Sequence, residues 1–392
     1  MNEPQLRFKD FSGTWYEKKL SEIADIKTGP FGSSLHEEDY VETGTPIITV
    51  EHLGEQGVVH KNLPLVSDED KTRLKSYNLQ QGDVVFSRVG SVDRSCLISE
   101  KENGWLFSGR LLRVRLTDIK FCSIFLNQIF KNETVKYRIR SVAVGQTMAS
   151  LNTEILKNFS LIFPTSKQEQ TKIANFLTAV DEKITYLTQK RDLLAKYKKG
   201  VMQQIFSQEL RFKDDDGGEF PDWDEASLES LLDYEQPTKY LVSSTEYSDL
   251  YTTPVLTAGK TFVLGYTNET KGIFNEGLPV IIFDDFTTAF KFVAFPFKAK
   301  SSAMKILRLK DSTNSIKYIY EAMELIDFPS GDEHKRYWIS EYSKVTIPLP
   351  CMKEQIKIAN FLTAIDDKIT TTKAQLDAVK QYKQGLLQQM FV

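Results

Sequence analysis

The stretch EQTKIANFLTAVDEKIT at residues 169–185 returns almost unchanged as EQIKIANFLTAIDDKIT at residues 354–370. Further on, Tyr197, Gly200, Gln203, Gln204 and Phe206 match Tyr382, Gly385, Gln388, Gln389 and Phe391. Roughly 21 of 38 aligned positions are identical at one constant offset with no gap, a level that chance does not produce. The segment is a duplication. A shorter echo frames it: LRFKD at residues 6–10 recurs at residues 210–214, each copy followed by an acidic or Gly-containing stretch and a tryptophan, Trp15 or Trp223. The chain therefore reads as variable block, repeat, variable block, repeat.

The repeat has the apolar spacing of a long helix. In the first copy Ile173, Val180, Leu187, Leu194 and Val201 recur every seven residues, interleaved with Leu177, Ile184 and Ile205. The second copy gives Ile358, Ile365, Val379 and Leu386 with Leu362, Ile369, Leu376 and Met390. This is an a/d seam, interrupted by Arg191, Lys198, Thr372 and Lys383. Each copy predicts a helix of about 35–40 residues, roughly 55 Å long at 1.5 Å per residue. A single such seam also suits a long helix packed on its own domain. Two matching seams in one chain favour mutual pairing. Each helix follows a proline-punctuated strand-like run, LIFPTSKQEQ or VTIPLPCMKEQ, as expected where proline sits near a helix start.

The blocks at about 14–165 and 222–350 contain short β-branched and aromatic runs separated by Gly, Asn and Asp, such as TPIITVEHL, GDVVFSRVG, LLRVRL, LPVIIFDDF and FKFVAFPF. They predict α+β domains of similar fold and different surface, with no βαβ alternation to support a doubly wound sheet. With 392 residues, 41% hydrophobic, 11% aromatic and 13 prolines, the chain has room for two or three folded domains. No run approaches the roughly 20 apolar residues of a membrane span and the start lacks an apolar leader, so the expected location is the cytoplasm. Cys96, Cys122 and Cys351 are scattered and odd in number, which suggests neither a disulfide framework nor a zinc site. A net charge of −3 argues against a protein that coats DNA unaided, since non-specific affinity comes from neutralised phosphates.

Candidate contact residues are basic or small polar groups near predicted turns. In the first block Arg88, Arg94 and Arg110 have the planar guanidinium that reaches phosphates and guanine edges, and each is equally consistent with a solvated surface charge. Lys27, Thr28 and Ser33 lie in a KTGPFGSS loop, and Gln146 and Thr147 follow Gly145; such loops suit a DNA groove and are also plain turns. In the second block the candidates are Lys239, Tyr240, Lys260, Thr287, Lys291, Lys335 and Arg336, with Tyr337 and Trp338 open to a core role.

Catalytic signals are missing. Gly259-Lys260-Thr261 imitates a phosphate loop, but Pro254 replaces the glycine five positions earlier. No GxGxxG, HExxH or GxSxG occurs, nor the Asn/Asp-Pro-Pro-aromatic tetrapeptide of amino-methyltransferases. Asp284 and Asp285 are adjacent, which places them on opposite sides of an extended chain and favours a structural role. His36, His52, His60 and His334 have no metal-ligand spacing, so no cofactor or metal is expected on this chain.

Two variable domains alternating with near-identical helices, each entered through Pro, Glu-Gln and Ile-Ala-x-x-Leu (Pro164, Glu169, Gln170, Ile173, Ala174, Leu177; Pro350, Glu354, Gln355, Ile358, Ala359, Leu362), resemble the specificity subunit of type I restriction-modification systems. The resemblance covers nearly the whole chain. It implies a first target-recognition domain at 1–165, a first repeat helix at 166–207, a linker and second target-recognition domain at 208–350, and a second repeat helix at 351–392. It further implies that the helices pair antiparallel with a pseudo-two-fold internal repeat, through Ile173, Leu177, Val180, Ile184, Leu187 and Leu194 against Ile358, Leu362, Ile365, Ile369 and Leu376. The implied partners are double-stranded DNA, two modification subunits carrying S-adenosylmethionine, and restriction subunits using ATP and Mg. A coiled-coil scaffold without DNA readout is the competing expectation, and the acidic run at 214–216 has no role in either reading.

Overall fold

The computed structural model describes residues 3–30, 35–145, 149–257, 261–328 and 336–392. They form two compact units, one of Met1–Lys190 with Thr372–Val392 and one of Arg191–Thr371. Each unit takes one variable block and part of each repeat helix, so the boundaries of compactness cut both helices, whereas the sequence pattern treats each helix as a segment of its own.

Unit 1 is built on a four-stranded antiparallel sheet of β1 (Ala24–Thr28), β2 (Val84–Ser87), β3 (Ser95–Leu97) and β4 (Leu111–Leu116), in the order β1-β4-β2-β3. Unit 2 repeats it with β5 (Leu232–Glu235), β6 (Val280–Asp284), β7 (Phe290–Val293) and β8 (Met304–Leu309), in the order β5-β8-β6-β7. The most apolar runs become the inner strands. All four residues of β2 and the first four of β6 are buried, as expected for a strand covered on both faces. The lesser sheets recur as well. Thr45–Ile48 lies between antiparallel Leu65–Val66 and parallel Leu106–Phe107, and Thr253–Leu256 lies between antiparallel Val263–Thr267 and parallel Lys298–Ala299. The expected α+β class with similar domains is what the two units show.

Helices α1 (Ser123–Phe130), α2 (Lys167–Phe206), α3 (Ile316–Met323) and α4 (Met352–Met390) cover these sheets. In unit 1, Phe86, Leu112 and Phe125 share a core with Ile173 and Leu177 of α2 and Leu386 and Met390 of α4. Farther along, Ile184 and Leu187 of α2 pack on Leu376 of α4, flanked by half-buried Val180 and Val379. As α2 advances, α4 recedes, so within this unit the pairing is antiparallel. In unit 2, Phe283, Leu307 and Tyr318 share a core with Val201 and Ile205 of α2 and Ile358, Leu362 and Ile365 of α4, with Ile369 at its edge. Leu194 is half-buried. Leu177 and Leu362 are fully buried, each stabilising its unit by about 2 kcal/mol.

The LRFKD echo is a clasp. Arg7 donates to both carboxylate oxygens of buried Glu169 at 2.7 and 2.9 Å, and Arg211 does the same to Glu354 at 3.3 and 2.9 Å. Paired, charge-assisted bonds of this kind are strong and directional. The next residue of the motif, Gln170 or Gln355, accepts the backbone N–H at the cap of the short helix, from Cys122 at 2.9 Å or Ser315 at 2.8 Å. The main chain repeats the joint: the Leu6 N–H donates to the Gln389 carbonyl in unit 1, and the Leu210 N–H to the Gln204 carbonyl in unit 2. The acidic run extends this clasp. Asp214 folds a turn by accepting from the N–H groups of Asp216 and Gly218, and Asp215 pairs with Lys357 at 2.7 Å, while in unit 1 Asp10 meets Lys172.

Candidate nucleic-acid interface

At one end of the unit 1 sheet β1 and β2 finish and β4 begins, so their loops crowd together. The Arg88 N–H donates to the Arg110 carbonyl at 2.8 Å, the Leu151 N–H to the Arg88 carbonyl at 2.8 Å, and the Gly29 N–H to the Leu111 carbonyl at 3.1 Å. A Cβ on Gly29 would stand 2.1 Å from the Ser108 carbonyl oxygen, so glycine is required for this close approach. Two of the expected side chains, Arg88 and Thr28, meet here, and Lys27 and Arg110 lie on the adjoining backbone. The Arg88 guanidinium donates to the Gly109 carbonyl at 3.3 Å and the Thr28 hydroxyl at 3.5 Å. Lys27 donates to the Ser76 carbonyl at 3.0 Å and lies 4.1 Å from the centre of the Tyr77 ring. Burial holds its ammonium below the usual lysine range, and Arg113, opposite it on β4, adds to the effect. Arg110 is exposed and makes no side-chain hydrogen bond or ion pair among the described residues. Arg94 closes the β2–β3 loop, its guanidinium donating to the Leu53 carbonyl.

The same end of the unit 2 sheet can be aligned through the ladder. Ser87 pairs with Leu111, and Asp284 with Met304. The Asp285 N–H then donates to the Ala303 carbonyl and the Tyr337 N–H to the Asp285 carbonyl, as for Arg88, Arg110 and Leu151. Asp285 therefore stands where Arg88 stands, Ala303 where Arg110 stands, and, by strand register, Glu235 where Lys27 stands. Asp285 is buried, accepts from the Trp338 N–H at 3.0 Å and pairs with buried Lys305 at 3.4 Å, which anchors the segment after Arg336. Arg336 is exposed, and Tyr337 and Trp338 are core residues.

The remaining second-block candidates disperse. Thr287 is exposed in the β6–β7 turn, where its N–H donates to Asp284. Lys291 is exposed on the edge strand β7, and Lys239 is exposed on the short helix Pro237–Tyr240. Tyr240 is committed to packing: its hydroxyl donates to Glu235 at 3.0 Å and its ring meets Phe274 edge-on. Ser33, Gln146, Thr147, Lys260 and Lys335 lie outside the described residues. Among the described residues, no cluster of His, Cys, Asp or Glu is arranged to hold a metal, and no helix is long and apolar enough to cross a membrane. Sequence reading missed the clasp residues Arg7, Glu169, Arg211 and Glu354 as partners. The usable signal was that both motifs recur together.

Two domains of one topology, each closed by repeat helices, define a paired specificity module. Residues 12–196 and 221–381 match the family described as Type I restriction modification DNA specificity domain, and the chain belongs to that family. Over 158 residues it is 52% identical to the EcoR124I/EcoR124II specificity subunit of Escherichia coli, a match spanning 38% of this chain and 39% of that relative. A putative MjaX specificity subunit from Methanocaldococcus jannaschii is 24% identical over 410 residues, covering 95% of this chain and 92% of the relative. The S subunit from M. genitalium has the same fold, with a TM-score of 0.71 at 16% identity over 100% of this chain and 99% of that one.

Proposed function

We propose that this chain is the non-catalytic DNA-reading subunit of a type I restriction-modification complex, each unit reading one half of a split, asymmetric site. The observation that supports this reading is the pair of corresponding loop ends. Lys27, Arg88 and Arg110 at one have Glu235, Asp285 and Ala303 as their counterparts at the other. One scaffold bearing unlike groups suits unlike half-sites, because base discrimination depends on which donors and acceptors reach a groove edge. Under this reading the paired helices set the gap between half-sites and offer two equivalent faces to two modification subunits. Those partners supply S-adenosylmethionine and adenine-N6 methylation, and restriction subunits supply ATP-driven cleavage. The modest net charge fits a subunit whose DNA affinity belongs largely to the assembly.

Methylation mapping tests it. Exchange of residues 222–350 for the corresponding block of another specificity subunit should change one half-site and leave the other intact; changes in both would defeat the assignment. Insertion of seven residues near Leu187 should alter the gap or abolish binding, and an unchanged gap would remove the spacer role.

A further inference from the structure

A groove of about 620 Å3 in unit 1 carries more positive than negative charge. Lys131, Lys136, Lys380, Lys383 and Arg94 line it against Glu55, Asp93 and Glu133. Two of those carboxylates are already engaged, Asp93 by Arg140 and Glu133 by Lys136. At its base, Lys383 lies 2.5 Å and Lys131 3.3 Å from the oxygens of one carboxylate, Asp181, to which Gln128 also donates at 3.0 Å. The two lysine side chains are only 13% and 17% exposed. Two poorly hydrated ammonium groups thus share one ion-paired carboxylate, and Glu55 on the groove wall adds only a weaker attraction to Lys383.

Unit 2 contains the balanced version. Lys198 occupies the position of Lys383 in the repeat and lies 2.7 Å from Asp366 and 2.9 Å from Glu321; Lys317 lies 2.7 Å from the other Glu321 oxygen. Glu321 is the sixth residue of α3, as Gln128 is of α1. Unit 1 therefore has Gln128 where the same scaffold elsewhere supplies a carboxylate, and its two lysines, Lys131 and Lys383, line an open groove.

We propose that this groove binds a phosphate group, which provides for Lys131 and Lys383 the negative charge that Glu321 provides in unit 2, with exposed Lys380 as a further donor. Lysine ammonium groups are compact point charges suited to a phosphate of either source, a DNA backbone phosphodiester or free phosphate. The lowered proton affinity of Lys383, caused first by burial and then by Lys131, is the unfavourable state that a bound anion would relieve.

The test uses the full chain, its melting temperature followed against inorganic phosphate at constant ionic strength. A saturable rise is expected for the natural sequence. Gln128→Glu, which installs the missing carboxylate, should weaken it about ten-fold. Lys380→Gln, at an exposed position that the fold does not need, should weaken it several-fold and decides the matter alone if the first variant does not fold. A short non-specific duplex that displaces phosphate assigns the site to the DNA backbone; phosphate binding that the duplex leaves untouched assigns it to free phosphate. The duplex arm rests on the DNA-reading proposal and the phosphate arm does not. The proposal is overturned if neither variant changes the binding of phosphate or of duplex.

Discussion

Lys198 and Lys383 occupy the same position in two copies of one helix, yet they live in opposite electrostatic conditions. Burial pulls the Lys198 ammonium down, but Asp366 and Glu321 outweigh it and hold the group above the ordinary lysine value. Around Lys383 burial again pulls down, Lys131 reinforces it, and Asp181 with Glu55 does not compensate. The helices supplied the repeated half of each cluster, Lys198 with Asp366 and Lys383 with Asp181. The variable blocks supplied the rest, and there the two units part. Duplication preserves a scaffold, whereas the charges set on it are free to diverge.

Lys198→Met should break this contrast most severely. It leaves buried Glu321 and Asp366 facing each other with only Lys317 between them, at a cost of about 3 kcal/mol, whereas Lys383→Met leaves Asp181 with Lys131 and Gln128 and should cost about 1 kcal/mol. Hydrogen exchange in α3 and α1 would resolve the two, and equal losses would refute the difference. Arg7→Ala should cost about 2 kcal/mol and Arg211→Ala less, since Glu354 also accepts from the Trp223 indole at 2.8 Å, while the Trp15 indole N–H has no hydrogen-bond partner among the described residues. Chemical denaturation of the two variants gives the order. The smallest effect is in pH. Lys383 has a lowered folded-state value, so unit 1 gains stability as pH rises through the window between that value and 10.5. Lys198 has a raised one, so its contribution is complete below 10.5 and is lost as pH climbs through the folded value above it. Glu321→Gln should make Lys198 titrate like Lys383, as lysine side-chain NMR would show.

The repeat helices were legible because period and duplication are both written in consecutive residues. Ile173, Leu177, Ile184, Leu187, Ile358, Leu362, Ile365 and Leu376 are all buried where the seam predicts an inner face. Strand-like runs such as GDVVFSRVG also announced themselves. The common sheet order of the two blocks did not, because an inner strand asks only for apolar residues of suitable shape, and VVFS and VIIFD meet that demand without resembling each other. Which basic residues converge was hidden too. Strand pairing brings the backbones of Lys27, Arg88 and Arg110 to one end of the sheet across more than eighty positions, while Tyr240, similar on paper, points its hydroxyl inward at Glu235. Lys198 and Lys383 could be seen only as flaws in a seam, since part of each cluster comes from outside the repeat.

The joint at Leu6 and Gln389 has a consequence for the path of the polypeptide. Leu6 meets the end of α4 through the same backbone bond by which Leu210 meets the end of α2. The second of these joints is crossed by continuous chain and the first is not, yet both are made alike. A chain opened between Ser207 and Leu210 and closed across Leu6 and Gln389 would meet every joint described above in a different order.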